Sequence, residues 1–306
     1  MKYRIVHKST YEYRSPVSFG NHVAWLQPRS YPHHVCMRHE LEVAPKPAGL
    51  DRRVDFFGNT ICIFTIDEPH DELEIVARSE VALDEIPSAW PEASPPWERV
   101  TEILRTARDP DILDAWQFVF ESPRIQPGPE FGAYAAPSFR SGRPLTEAVV
   151  DLTARIHKEF HFDAKSTSVR TSADDVLAQR SGVCQDFAHI EVACLRSLGL
   201  AARYVSGYVR TSPPPGKPRL VGADASHAWV SVFCPGAGWL DIDPTHNMIP
   251  SQSHVTLAWG RDYGDLSPVR GVIVGGRDHE LHVAVDMTPV EQEPTENDTK
   301  LPIANA

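Results

Sequence analysis

The stretch between Gly182 and Gly199 constrains the fold most. Phe187, Ala188, Ile190, Val192, Ala193, Cys194, Leu195 and Leu198 cover most of the circumference of a helix running from Cys184 to Leu198. A helix that is apolar nearly all round has to be wrapped by other elements. The 306 residues are enough for about two domains and a large core without disulfides or structural metal.

Composition narrows the classes further. Hydrophobic residues make up 42% and charged residues 23%, which excludes a disordered chain and a fibre. No apolar run reaches the ~18 residues of a membrane helix, so no membrane partner is expected. A formal net charge of −11 repels phosphate backbones and argues against nucleic acid as a partner. The first residues, MKYRIVH, lack an apolar run of signal-peptide length, and the chain reads as cytoplasmic. Cys36, Cys62, Cys184, Cys194 and Cys234 form an odd, sparse set without C-x-x-C, so free thiols are expected.

Along the chain, residues 1–85 read as a β-rich N-terminal domain. Short alternating runs at 3–13, 35–43, 54–57, 61–66 and 73–83 are separated by turn residues, with Gly58-Asn59 as a hairpin signal. His33, His34 and His39 lie here without spaced carboxylates or thiols and read as ordinary surface or strand histidines. Residues 86–143 form a Pro-rich connector with helices at 97–107 and 109–120. There Trp90, Trp97 and Trp116 serve to pack the connector onto a neighbour.

From 144 to 288 helix and strand alternate. Helices are expected at 144–160, 172–178 and 184–198, and strands at 202–209, 228–233, 239–242, 255–259, 272–274 and 281–285. The prolines of 211–219 make that segment a loop. The acidic tail, 289–306, has few apolar residues and reads as disordered. The fold class is α+β: a strand-rich region, then a central helix packed on an antiparallel sheet.

One thiol stands out. Cys184 occupies the first turn of the buried helix, where unpaired N–H groups and the macrodipole favour a thiolate. Position alone leaves a structural thiol equally open. Cys194, in the apolar middle of the same helix, reads as inert core.

A nucleophilic thiol wants a base and the base an orienting group. His227 opens one strand and Asp243 ends the next. A hairpin centred on residue 235 would set the two directly opposite, with Cβ atoms about 4.5–5.5 Å apart. Asp241 shares that face but lies off His227. His189, five residues past Cys184, points elsewhere on the helix and reads as structural. His246 and His254 follow the Asp and could reach the rim. Trp229 and Trp239 read first as core, with a substrate shelf as the other reading.

These segments together resemble the transglutaminase-like superfamily. The matching stretches are GVCQDFAH at 182–189, AARYVSGY at 201–208, HAW at 227–229 and WLDIDPT at 239–245. Residues 1–85, including DFFGN at 55–59, and GRDY at 260–263 with PVRGV at 268–272 are similar to the bacterial members. The resemblance implies a papain-like core whose nucleophile is Cys184, with His227 as base then acid and Asp243 as orienting carboxylate. It implies acyl transfer through a thioester on a peptide or protein substrate, with no cofactor and no metal. Hydrolysis is the expected outcome, with amine transfer as the variant. The backbone N–H of Cys184 would serve the oxyanion hole, with Gln185 as a candidate second donor. Gln185 and Trp229 are the candidate substrate-side residues. Two other classes stay open: a non-catalytic binding module on the same fold, and metal held by Cys184, His227 and Asp243.

Overall fold

The computed structural model describes residues 1–84, 94–168, 171–211 and 225–290. Trp90, most of the 211–219 loop and the acidic tail beyond 290 lie outside these residues. The chain begins with five strands: β1 (Lys2–Ala24), β2 (His34–Ala44), β3 (Gly49–Val54), β4 (Thr60–Ile66) and β5 (His70–Leu83). Side chains on β1 alternate between buried (Tyr3, Ile5, His7, Ser9) and outward (Lys2, Arg4, Lys8), the period of a half-buried strand. These strands form a curled antiparallel sheet in the order β2-β5-β1-β4-β3.

Of the expected strand at 54–57 only Val54 lies on a strand, at the end of β3, and 55–57 form a loop. The Asp55 carboxylate accepts from the backbone N–H groups of Phe57 (2.9 Å) and Asn59 (2.8 Å), so those donors leave the ladder. Gly58 turns there at φ +76° and closes the hairpin of β3 and β4.

The connector carries α1 (Trp97–Thr106), α2 (Pro110–Trp116) and α3 (Pro129–Ala135). α3 lies beyond the two connector helices expected at 97–107 and 109–120. Proline fits the first helical turn, where its missing N–H has no partner to lose, and Pro129 stands there.

The remaining elements are α4 (Leu145–Glu159), β6 (His161–Phe162), α5 (Ala173–Gln179), β7 (Ser181–Gly182), α6 (Cys184–Ser197), β8 (Ala202–Val209), β9 (Ala225–Cys234), β10 (Gly238–Ile242), β11 (His254–Gly260), β12 (Val269–Gly275) and β13 (His279–Pro289). Ser172 caps α5 by accepting from the Asp175 N–H at 3.1 Å. α6 is buried from Asp186 to Arg196, as its composition demands. Phe187, Ile190 and Leu195 each contribute about 1.5–3 kcal/mol by burial. The helix packs against β8 and β9, with α3, α4 and α5 around it. The second sheet is antiparallel in the order β10-β9-β8-β11.

The two sheets are joined by more than the connector. Asn59, wholly buried at the β3–β4 turn, bonds both backbone groups of Trp259 on β11 (2.9 and 3.0 Å). β12 and β13, which the sequence reading grouped with the 144–288 unit, pair with β1. Sheet membership thus differs from that division, because the strands after 268 find their hydrogen bonds on the first strand.

Candidate active site

Cys184 is the first residue of α6 and is half-buried. The approach to it is extended rather than a tight turn: Ser181 and Gly182 form β7, paired in parallel with β6. Asp186 fixes the helix start. Its Oδ2 accepts from the Val183 N–H at 2.9 Å and from the Thr167 hydroxyl at 2.6 Å. A Cβ on Gly182 would lie 2.7 Å from that oxygen, so only glycine fits. Gln185, next on the helix, is half-buried.

His227 and Asp243 come together, though by a register other than the expected one. The β9–β10 ladder pairs Gly238 with Cys234 and Ile242 with Val230, so the hairpin is centred on residue 236. Continued one step, it sets Asp243 opposite Trp229 and His227 on the diagonal. A shift of the centre by one residue moves partners by two, which preserves the face. The diagonal is within side-chain reach, and His227 Nε2 bonds Asp243 Oδ2 at 2.8 Å.

Asp243 is fully buried and saturated with donors. Its Oδ1 accepts from the backbone N–H groups of Thr245 (2.8 Å) and His246 (3.2 Å). Its Oδ2 also meets His246 Nδ1 at 2.7 Å and His254 Nε2 at 3.2 Å. Burial alone would raise the carboxyl's pKa. The hydrogen bonds from the histidines and the charge on His227 overcome it and hold the group well below the usual carboxylate range.

Burial likewise acts to lower the His227 pKa. Hydrogen bonds to Asp243 and Cys184, with their charges, outweigh it and raise the imidazole to about 9. Cys184 and Asp243 thus both act on one ring, whose Nε2 is taken by the carboxylate. His254 is held neutral, its pKa lowered by burial despite Asp243.

From the sequence, His246 and His254 could at most reach the rim; in the structure both bind the aspartate directly. His254 begins the opposite edge of the sheet from β10. Gly207, paired with His227 across β8, makes the crossing: a Cβ there would lie 2.5 Å from the Trp229 ring. With that space open, Trp229 spans toward His254, ring centres 5.2 Å apart. Trp229 is itself fully buried and donates to Asp241 at 3.2 Å, so it forms a wall behind the imidazoles rather than an exposed shelf. That contact also explains why Asp241 is not the partner of His227. His254 and Trp229 border a cavity of about 940 Å³ shared with Arg29, Tyr31, Arg203 and Trp259.

Other sequence candidates fall outside the cluster. His189 is buried, accepts from the Tyr263 N–H at 3.2 Å and is lowered to about 4 by burial. Cys194 is fully buried, which pushes its thiol up. One residue escaped the sequence reading. Glu191 is completely buried on α6, bonded through Oε1 to the Thr153 hydroxyl, with Oε2 unpartnered among the described residues. Burial, reinforced by the Asp243 charge and opposed by the Thr153 bond, raises it to about 8. Its signal was there to read: a carboxylate between Ile190 and Val192 in the apolar middle of the helix.

A central helix with a thiol at its mouth, set on an antiparallel sheet that carries a histidine–aspartate pair, defines the transglutaminase-like class. Residues 3–82 match the bacterial transglutaminase-like N-terminal region and residues 133–244 the transglutaminase-like superfamily core. A protein of Mycobacterium tuberculosis is 38% identical over 308 residues, spanning 95% of this chain and 93% of the relative. The chain belongs to the transglutaminase-like superfamily, with the N-terminal region of its bacterial members. A protein-glutamine gamma-glutamyltransferase of Pseudomonas aeruginosa is 35% identical over 124 residues, 37% of this chain and 19% of that protein. The fold is shared with a solved structure from Cytophaga hutchinsonii, described as that of a candidate cysteine protease. The TM-score is 0.72 at 22% identity, over 96% of this chain and 93% of that one. Among the described residues, no helix is long and apolar enough to cross a membrane.

Proposed function

We propose that this chain is a cysteine-dependent acyl transferase acting on peptide or amide bonds, with water as its usual acceptor. The observation that carries the reading is the 2.8 Å bond between His227 Nε2 and Asp243 Oδ2, on an imidazole whose raised pKa also reflects Cys184. In this reading Cys184 is the nucleophile, His227 the base and acid, and Asp243 the orienting group. At rest the Cys184 proton already sits on the raised His227 ring, and the resulting thiolate attacks the carbonyl carbon. The Cys184 N–H faces the oxyanion, with Gln185 as the candidate second donor. His227 then gives its proton to the leaving amine, worth about 10²–10⁴-fold. The thioester that remains is opened by water, which His227 deprotonates in turn. Five free thiols fit a reducing compartment, in line with the cytoplasmic placement expected from the sequence.

Amine transfer is the second reading, favoured by the likeness to the Pseudomonas protein. Both are tested on a glutamine-containing peptide with and without a primary amine, against a Cys184→Ala control. Hydrolysis exceeding amine incorporation supports the first reading, and the reverse supports the second. Turnover retained in Cys184→Ala overturns both.

A further inference from the structure

Three imidazole nitrogens meet at Asp243 Oδ2: Nε2 of His227 at 2.8 Å, Nδ1 of His246 at 2.7 Å and Nε2 of His254 at 3.2 Å. The four atoms all lie within 4.8 Å of one another. A carboxylate oxygen offers about two lone-pair sites, so three ring donors overfill it. Three imidazoles and one carboxylate are, in contrast, a complete tetrahedral donor set for a zinc-class ion.

The dimensions suit such an ion. Bonds of ~2.0–2.2 Å set tetrahedral ligand atoms about 3.3 Å apart. The three oxygen–nitrogen separations are already 2.7 to 3.2 Å. The widest separation would close by about 1.5 Å, and His246, whose side chain is 44% exposed, has room to move. The same exposure gives an ion a route from solvent. Outer partners are in place as well. Ser253 Oγ holds His254 Nδ1 at 3.1 Å, and the backbone N–H groups of Thr245 and His246 hold Asp243 Oδ1.

We propose that His227, Asp243, His246 and His254 bind one zinc-class divalent cation, and that the bound ion holds the Cys184 site off. The second half rests on the reading of Cys184 as nucleophile. An ion on His227 Nε2 takes that nitrogen's lone pair. The neutral ring then carries its single proton on Nδ1 and faces the sulfur with an N–H. It has no lone pair there to accept the thiol proton, so the base is lost. The protons balance: each ring keeps one on the nitrogen away from the ion, and a doubly protonated His227 releases one to solvent. No bond to Cys184 forms.

The test uses the full chain, stripped with a chelator and titrated with Co²⁺ as the probe. Visible bands of tetrahedral intensity should rise to one equivalent in the parent protein and equally in Cys184→Ala. His246→Ala, at a half-exposed position, should weaken binding by more than the ~10–100-fold typical of losing an outer partner. His254→Gln, checked for folding by circular dichroism, should do the same. Absent bands, or affinity unmoved in both variants, overturns the site. A near-ultraviolet thiolate-to-cobalt band that disappears in Cys184→Ala overturns it too, because the ion then sits on the sulfur. Zinc loading should slow iodoacetamide alkylation of Cys184 by ~10²-fold or more, the lower range of what a positioned base supplies, with recovery on chelation. Cobalt binding with alkylation unchanged overturns the switch. A Cys184 that is unreactive even without metal counts against the catalytic reading, while the cobalt titration still decides the site.

Discussion

Asp243 Oδ2 holds His227 Nε2 at 2.8 Å, which leaves Nδ1 as the ring nitrogen not bound to the carboxylate. Asp243→Asn keeps the shape but removes the charge and can present its NH₂ to the ring. Turnover should fall by about 10⁴-fold, the cost of the matching substitution in a serine protease triad. Steady-state kinetics on an amide substrate check this; a loss under tenfold would remove Asp243 from the orienting role.

His227 should remain an imidazolium through neutral pH in the metal-free protein. Its folded pKa is raised from 6.5 to about 9. The folded state therefore holds a proton that the unfolded chain has released, and this stabilisation is complete below the unfolded value of 6.5. It is lost as pH rises from there through about 9. A proton NMR titration of the ring, compared with His227→Ala, reads the midpoint. Titration at an ordinary 6.5 would sink the idea that Asp243 and Cys184 jointly hold the charge.

Glu191→Gln should stabilise the protein, and more so at higher pH. The carboxyl titrates near 4.5 unfolded and about 8 folded. Between those values the unfolded chain has given up the proton and the native state has not, so stability falls as pH rises. At about 1.4 kcal/mol per pKa unit the loss reaches a few kcal/mol. Glutamine keeps the acceptor for Thr153 without ionising. Urea unfolding at pH 5 and pH 8.5 should show the variant gaining on the parent only at the higher pH.

Gly182→Ala tests the approach to the thiol. The new Cβ would sit 2.7 Å from Asp186 Oδ2 and 2.8 Å from Asp186 Cβ. Overpacking of this kind costs about 1–3 kcal/mol. Displacing Asp186 also frees the Val183 N–H and loosens the start of α6. A lowered melting temperature together with slower alkylation of Cys184 is expected; unchanged alkylation would detach Asp186 from the geometry of the sulfur.

Much of this was legible in the chain. The apolar circumference of α6 announces a buried helix, and alternation puts His227 and Asp243 on one face whichever turn joins them. The turn itself was not legible. The segment 234–238 offers two glycines, and both Gly236 and Gly238 adopt positive φ, which moves the hairpin centre to 236. His254 was invisible as an Asp243 ligand for another reason. It reaches the carboxylate from the far edge of the sheet, past a glycine and behind a tryptophan, and no local pattern encodes such a crossing. α3 was not legible because proline both breaks a helix and begins one, and Pro129 begins this one.

The pairing of β1 with β13, Tyr3 against Pro289 through Tyr13 against His279, has a consequence for biosynthesis. β1 is made before β13 and keeps one flank bare until residue 289 has emerged. Such an open flank invites pairing with a neighbouring chain. A nascent chain halted shortly before residue 279 should therefore be far more prone to aggregate than one halted after 289.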